Sequence, residues 1–362
     1  MAHLVGTEAD IPPRRPRGQS SQSIVERLRR VQFHRLAVFG TLVVVIAGTG
    51  LANHQFLSVV NLTTVASGAV PVALITMGMV FLLISGSFDL SVGYAVAFLS
   101  VVGTILINHL GSGGGIVAIV LIGMIIGAVN GLIVCGIGVN SLVTTLGTGY
   151  VLYGLASVIQ GNTTPTLNHP WLTQAATASA GSIPVPVWVF IAFLFVGGYL
   201  SRTVLGRSIF AVGGNPEAAR YNGIRVNYVR FVPFVFMGLL ASIAALIEIG
   251  FIGGGMSTIA SDWPLQAIAG AVVGGVSLAG GSGSVTAGVI GAALIAIVGD
   301  VLVFLNVNST YEDVVVGVII VIAVAVDVRL RRRFSSRVRE FTTSVKAEVA
   351  EVAEVRDDGG EA

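Results

Sequence analysis

Four polar side chains stand in or beside otherwise apolar stretches, where they could act on a polar solute. They are Asp89, Ser91, Glu248 and Asp300. A carboxylate in hydrocarbon is costly, so such a residue is a functional candidate by default. These side chains could hydrogen-bond a solute on a path across a membrane, or hold a proton or a cation. We therefore take the four residues as pathway or gate candidates, with Glu248 and Asp300 deeper in their apolar stretches.

Asp89 also has a structural interpretation, because it follows the Gly- and Ser-interrupted sequence SGSF. A helix is predicted to start at about Ser91, and a carboxylate before its first turn would cap it. Both interpretations of Asp89 stay open. A further acid, Asp262, precedes Pro264 in a segment that we expect to form a loop outside the membrane.

The second candidate site is NPEAARYNG, residues 215–223, in a charged segment between two apolar stretches. Asn215 suits a helix N-cap, Pro216 the first helical position and Gly223 the left-handed turn after the end. Glu217 in the first turn favours the helix dipole. Two turns of helix are marginal alone in water, so this predicted helix has to dock. It could pack on loops of its own chain or enter a groove on a partner.

Several other kinds of chemistry are excluded by the sequence. The chain has no G-x-x-x-x-G-K-[ST] phosphate loop, and its only lysine is Lys346. The five histidines show no metal-ligand spacing, and the single cysteine, Cys135, excludes a disulfide within the chain. The glycine-rich sequence GGVSLAGGSGS, residues 274–284, lacks the lysine, and we interpret it as a tight break between helices. We predict no catalytic residue, no metal site and no cofactor bound by this chain.

The composition determines which elements must position these residues. Of the 362 residues, 54% are hydrophobic and 10% are charged, and the mean hydropathy is +0.89. Soluble domains carry about 25% charged residues. The chain is therefore predicted to be an all-α integral membrane protein, in contact with lipid and not with nucleic acid.

Ten apolar runs have a length suited to membrane-spanning helices. They lie at about 36–52, 65–85, 91–108, 116–136, 141–160, 186–200, 231–252, 265–280, 285–305 and 314–328. The two Gly-interrupted stretches, 85–93 and 274–284, fall in different halves of the chain. They loosely suggest a pseudo-repeat of two halves.

The cations indicate the orientation of these spans. All 20 Lys and Arg residues lie before the first span, in the loop 201–230 or after the last span. Ten spans place these three segments on one side, so we expect both termini in the cytoplasm and the uncharged loop 160–186 outside. The predicted organisation is a basic N-terminal segment 1–35, a transmembrane domain 36–328 and a tail 329–362. Both terminal segments are expected to be partly disordered.

Three motifs together carry a resemblance to a known family. They are SGSFDLSVG at 85–93, GRSIFAVGGNPEAARYNGI at 206–224 and GGVSLAGGSGSVTAGVIGA at 274–292. In order and spacing they resemble the permease subunits of ATP-binding-cassette importers of the ribose/xylose monosaccharide type, from about residue 60 to 328. One departure is that Ser87 and Phe88 stand where the family usually has Gly and an aliphatic residue.

The resemblance implies a function, partners and a role for the helix at 215–223. A coupling helix docks on a separate cytoplasmic ATPase, which binds ATP and Mg. The residues expected to form it are Asn215, Pro216, Glu217, Ala218, Ala219, Arg220 and Gly223. An extracytoplasmic binding protein would deliver the sugar, and a second permease chain, identical or closely related, would complete the path in the bacterial inner membrane. The alternatives are a permease for nucleosides, autoinducer-type sugars or branched-chain amino acids, and a transporter driven by an ion gradient.

Overall fold

The computed structural model describes residues 44, 46–168, 170–307, 311, 314–319, 321–322 and 325. Ten α-helices have both ends in this part of the chain, all within the compact unit Gln55–Ala362. They are α1 (Val59–Ser85), α2 (Val92–Gly131), α3 (Ser141–Gln160), α4 (Pro170–Thr177), α5 (Val185–Arg202), α6 (Val204–Gly214), α7 (Pro216–Tyr221), α8 (Val226–Ile252), α9 (Trp263–Val273) and α10 (Val285–Phe304). The predicted all-α membrane class is confirmed.

Shorter elements complete the described chain. A 3₁₀ turn, His54–Leu57, precedes α1, and a π-helical turn, Leu132–Ile137, follows α2. Strands β1 (Ser179–Ala180) and β2 (Ile183–Pro184) form one small antiparallel pair. Residues 46–52, in the separate unit Met1–His54, are helical as well.

Helix α2 consists of two antiparallel legs that meet at Gly111. This residue has φ 71° and ψ 173°, which no helix contains. A Cβ placed on Gly103 would lie 2.6 Å from Ile119, and one on Gly115 would lie 2.6 Å from Ile107. In one straight helix, residues 103 and 119 would be about 24 Å apart. The legs 92–110 and 112–131 therefore correspond to the third and fourth predicted spans.

Six helices in the described part of the chain are long and apolar enough to cross a membrane, with Val92–Ile137 taken as one of them. They contain the second to seventh predicted spans and the ninth. The first and tenth predicted spans, 36–52 and 314–328, lie partly outside the described residues. The prediction of ten spans is not tested by this count.

The eighth predicted span, 265–280, is wrong at its end, because α9 stops at Val273. Eleven residues of helix measure about 16 Å and do not cross a bilayer core of about 30 Å. The next residues cannot continue the helix, since Gly275 has φ 84°. A Cβ at Gly274 would overlap the carbonyl oxygen of Ala287, so α9 and α10 approach through their backbones.

Asp262 ends a stretch without helix, as expected for a loop, and its place outside the membrane stays a prediction. Residues 253–262, which we call the re-entrant segment, run back along the first leg of α2. Gly255 packs against Ser100, and a Cβ on Gly93 would overlap the carbonyl oxygen of Ala260. Hydropathy gives no sign of these contacts, because it registers only how apolar a stretch is.

The core of the bundle is built by α1, the two legs of α2 and α8. Phe81 on α1 meets Phe236 on α8 edge to face, with ring centroids 5.6 Å apart. Gly123 and Gly238 bring α2 and α8 into backbone contact, because a Cβ on either would overlap the carbonyl oxygen of the other. Small residues at such crossings let transmembrane helices pack closely.

This contact predicts that Gly238→Ala destabilises the protein by about 1–3 kcal/mol, since the added methyl group has no space. The measurement is the temperature of half-aggregation of the purified protein in detergent. Gly154→Ala on α3 is the matched control, because a Cβ there meets no atom within 4 Å. Equal temperatures for the two variants would show that the backbone contact is absent.

Candidate functional site

The junction between α1 and α2 brings Asp89 and Ser91 together. Asp89 Oδ1 accepts hydrogen bonds from Ser91 N at 2.9 Å and Ser91 Oγ at 2.5 Å. The carboxylate thus binds the backbone N–H of Ser91, the residue before α2, and not an N–H group of the first helical turn. The predicted capping of α2 by Asp89 is therefore not confirmed. Both residues are buried, with Asp89 3% exposed. A position so enclosed favours a structural role for Asp89 over direct contact with a solute.

Asn130, on the second leg of α2, was not among the candidate residues predicted from the sequence. Its Nδ2 donates to Ser91 Oγ at 2.8 Å, so a chain of hydrogen bonds runs from Asn130 through Ser91 to Asp89. Asn130 Oδ1 is buried without a partner among the described residues. The signal in the sequence was available, because Asn130 is the one amide side chain in residues 112–137.

Helix α3 holds the same junction from the other side. Ser141 Oγ accepts from Phe88 N at 3.2 Å, and Thr145 Oγ1 accepts from Leu90 N at 3.0 Å. Burial raises the pKa of the Asp89 carboxyl above its ordinary value, and the hydrogen bonds from Ser91 and Asn130 offset part of that rise. The junction is therefore a fixed, buried polar cluster between three membrane segments.

The other two acids lie apart from this cluster, in the last turns of their helices. Asp300 Oδ2 accepts a hydrogen bond from Asn61 Nδ2 at 2.8 Å and joins α10 to the start of α1. Glu248 lies half-buried one turn before the end of α8 and has no hydrogen-bond or ion-pair partner among the described residues. The structure thus brings together Asp89 and Ser91 but neither Glu248 nor Asp300.

Helix α7 has the ends that the sequence predicted. Asn215 Oδ1 accepts from Ala218 N at 2.9 Å, and Pro216 occupies the first position. Gly223 has φ 78°, in the left-handed region. Local sequence therefore accounts for both boundaries of this helix.

One face of α7 packs on its own chain while the other is free. Ala219 is 4% exposed, whereas Tyr221 is 92% exposed. Glu217, Ala218 and Arg220 are exposed as well. Beside the helix, a shallow groove of about 360 Å³ is lined by Arg220, Ile224, Arg225, Val226 and Asn227. The free face and the groove form a basic surface.

A contact between backbones ties this surface to the membrane helices. At the end of α6, directly before α7, a Cβ on Gly213 would overlap the carbonyl oxygen of Ile84 and approach Gly281 N. Gly281 N in turn donates to Ile84 O at 2.8 Å. Three segments therefore meet at this point: the end of α6, the end of α1 and the turn after α9.

Arg230 adds a second link at this end of the bundle, because its Nε donates to Ser85 O at 3.2 Å. The two Gly-interrupted motifs at 85–93 and 274–284 thus lie together beside the basic segment. Only a few residues separate these contacts at Ile84 and Ser85 from the Asp89 junction.

Comparison with known proteins decides the family. The model of a family described as "Branched-chain amino acid transport system / permease component" matches residues 61–324, well over half of the chain. The chain belongs to this family. It is a multi-pass inner-membrane permease component of an ATP-binding-cassette transport system.

Curated relatives of this permease carry names of sugar importers. The ribose import permease protein RbsC of Escherichia coli K12 is 33% identical over 292 residues, covering 79% of this chain and 91% of the relative. The L-arabinose transport system permease protein AraH of the same strain is 32% identical, covering 82% and 90%. The galactose/methyl galactoside import permease protein MglC is 29% identical, covering 80% and 93%. No solved structure matches the permease significantly.

The buried cluster of the permease gives a prediction for stability. Asn130→Ala removes the donor to Ser91 Oγ, and we expect a loss of about 1–3 kcal/mol. Thr63→Ala is the control, because the Thr63 hydroxyl is exposed and bonds only to carbonyl oxygens of its own helix. Thermal denaturation of both proteins in the same detergent measures the difference. A denaturation temperature for Asn130→Ala equal to that of the control would contradict the proposed hydrogen-bond chain.

Proposed function

We propose that this permease forms the path for a monosaccharide, and that a separate cytoplasmic ATPase drives transport by docking on α7. The observation that carries the docking is the capped helix with one buried and one exposed face. A helix of six residues is marginal in isolation. Here Ala219 anchors it, so its exposed side chains are presented to a partner in a fixed orientation.

The groove beside α7 defines the chemistry of that partner. Arg220 and Arg225 line it, and both side chains are exposed. The partner's surface is expected to present carboxylates to these two arginines, since opposite charges steer association and suppress wrong partners. ATP and Mg belong to the ATPase, because this chain has no phosphate loop.

The sugar substrate is supported by the names of the relatives. Relatives from Escherichia coli K12 are named for ribose, L-arabinose and galactose or methyl galactoside import. The description of the wider family names branched-chain amino acids as the transported substrates. We place the substrate among the monosaccharides because three separate sugar permeases cover about four fifths of this chain. An extracytoplasmic binding protein delivers the sugar, and a second permease chain completes the path.

The docking is tested by purifying the tagged permease from its own membranes in mild detergent. We expect a P-loop ATPase to accompany the wild type and to be lost, by tenfold or more, from the variant carrying Glu217→Arg and Arg220→Glu. Arg202→Glu is the control, because Arg202 is an exposed cation at the end of α5, outside the groove. Retention of the ATPase by the double variant would exclude α7 as the docking site.

The substrate class is tested by uptake into proteoliposomes that hold permease, ATPase and binding protein. Ribose, arabinose and galactose are compared with leucine at equal concentration. ATP-dependent uptake of at least one sugar and none of leucine is the expected result. Uptake of leucine alone would show that the substrate is a branched-chain amino acid and not a sugar.

The backbone contact at Gly213 predicts a defect in coupling. Gly213→Ala pushes α6 away from Ile84 and Gly281, whereas Gly214→Ala is a matched control whose added Cβ has no atom nearer than 4.0 Å. We expect Gly213→Ala to keep the ATPase bound while sugar uptake per ATP hydrolysed falls about 2- to 30-fold. An unchanged ratio of sugar to ATP would show that energy travels by another route.

A further inference from the structure

We place the re-entrant segment, residues 253–262, at membrane depth, because it lies beside the first leg of α2, which is a predicted span. The first leg of α2, residues 92–110, is about 28 Å long and Ser100 stands about 12 Å from its start. Met256 N donates to Ser100 Oγ at 3.2 Å, and Ser100 Oγ lies 3.3 Å from Met256 O. Further along, Ala260 contacts Gly93 near the start of the leg. The segment therefore passes from the middle of the leg to its first turn.

Backbone that is not helical is tolerated at this depth only where protein buries it or where it lines a water-filled cavity. One side of the re-entrant segment meets the first condition. Gly255 N donates to Pro165 O at 3.0 Å, and Ser257 N donates to Gln160 Oε1 at 2.6 Å. Ser257 and Ala260 are buried.

The other side of the segment is polar and uncovered. Thr258 and Ser261 are exposed, and Asp262 is half-exposed at the start of α9. Asp262 Oδ2 accepts from Gln266 Nε2 at 2.5 Å. Within the described part of the chain, the hydroxyls of Thr258 and Ser261 make no hydrogen bond with protein. Such groups facing lipid tails would carry the full cost of their lost hydration.

We propose that Thr258, Ser261 and Asp262 line the water-filled path of this permease and hydrogen-bond the hydroxyl groups of the transported solute. This proposal rests on the sugar-transport function proposed above and adds the wall along which the solute passes. Two hydroxyls and a carboxylate within five residues suit a polyhydroxylated molecule, because each can accept from a solute O–H and the hydroxyls can also donate. One helix ends at Ile252 and the next begins at Trp263, so these three residues lie at a break between helices. Breaks of this kind form substrate sites in many transporters.

The path is tested by the reactivity of single cysteines. Cys135 is the only native cysteine, so Cys135→Ser provides a background for Thr258→Cys and Ser261→Cys. Leu121→Cys is the matched control, because Leu121 is 54% exposed on the second leg of α2. It lies level with residue 101, since the two legs are antiparallel about Gly111. A charged, membrane-impermeant methanethiosulfonate is applied from both sides to membranes that contain the assembled transporter.

We expect the cysteines at 258 and 261 to react at least about tenfold faster than the one at 121, because the reagent attacks thiolate, which forms in water and not in hydrocarbon. The transported sugar should slow both reactions. Rates equal to the control would overturn the proposal, as would fast reactions that sugar leaves unchanged. ATPase co-purification from the same membranes shows separately whether the transport assembly itself has formed.

A second measurement uses substitutions that keep the shape of the side chains. Thr258→Val and Ser261→Ala should each lower the maximal rate of sugar uptake by about 2- to 10-fold at saturating sugar, because one hydrogen bond to the solute is lost. Thr63→Val is the control, since the Thr63 hydroxyl bonds only within its own helix. Both variants could instead take up sugar at the control rate with the ATPase bound. That result would show that these hydroxyls do not line the path, and the proposed transport function would stand.

Discussion

Every backbone N–H and C=O group that lies inside a bilayer has to find its hydrogen bond within the protein, because hydrocarbon supplies none. The long helices α1, α3, α5, α8 and α10 meet this constraint by themselves. Where helices are interrupted, side chains of neighbouring helices have to accept the free backbone N–H groups. At the junction 86–91, side chains of α3 accept the free backbone N–H groups of Phe88 and Leu90. At the re-entrant segment, Ser100 and Gln160 do the same for Met256 and Ser257.

These interruptions are also the points at which separate parts of the molecule meet. Glycines without side chains let the end of α6 approach Ile84 and Gly281 closely enough for backbone contact. Packed backbones of this kind shift between discrete arrangements instead of deforming gradually. The proposed docking surface on α7 is therefore joined to the membrane helices by close backbone contact.

The acidic residues divide into structural and exposed groups once their partners are known. Asp89 is enclosed by Ser91 and Asn130, and Asp300 is bound to Asn61. Both carboxylates hold segments together. Asp262, which is half-exposed, ends the non-helical re-entrant segment instead. Exposure of the side chain at a backbone break, more than the presence of a carboxylate in an apolar run, separates candidates for solute contact from residues that stabilise the fold.

The sequence by itself determined the features whose causes are local. The membrane class follows from composition, and the ends of α7 follow from Asn215, Pro216 and Gly223. Only the tertiary structure decided which distant residues meet, such as Asn130 with Ser91 and Asp300 with Asn61, which lie 39 and 239 residues apart. It also decided that residues 253–262 turn back along α2. Hydropathy registers how apolar a stretch is, but the depth of a non-helical segment depends on which helix accepts its hydrogen bonds, and no local pattern encodes that partner.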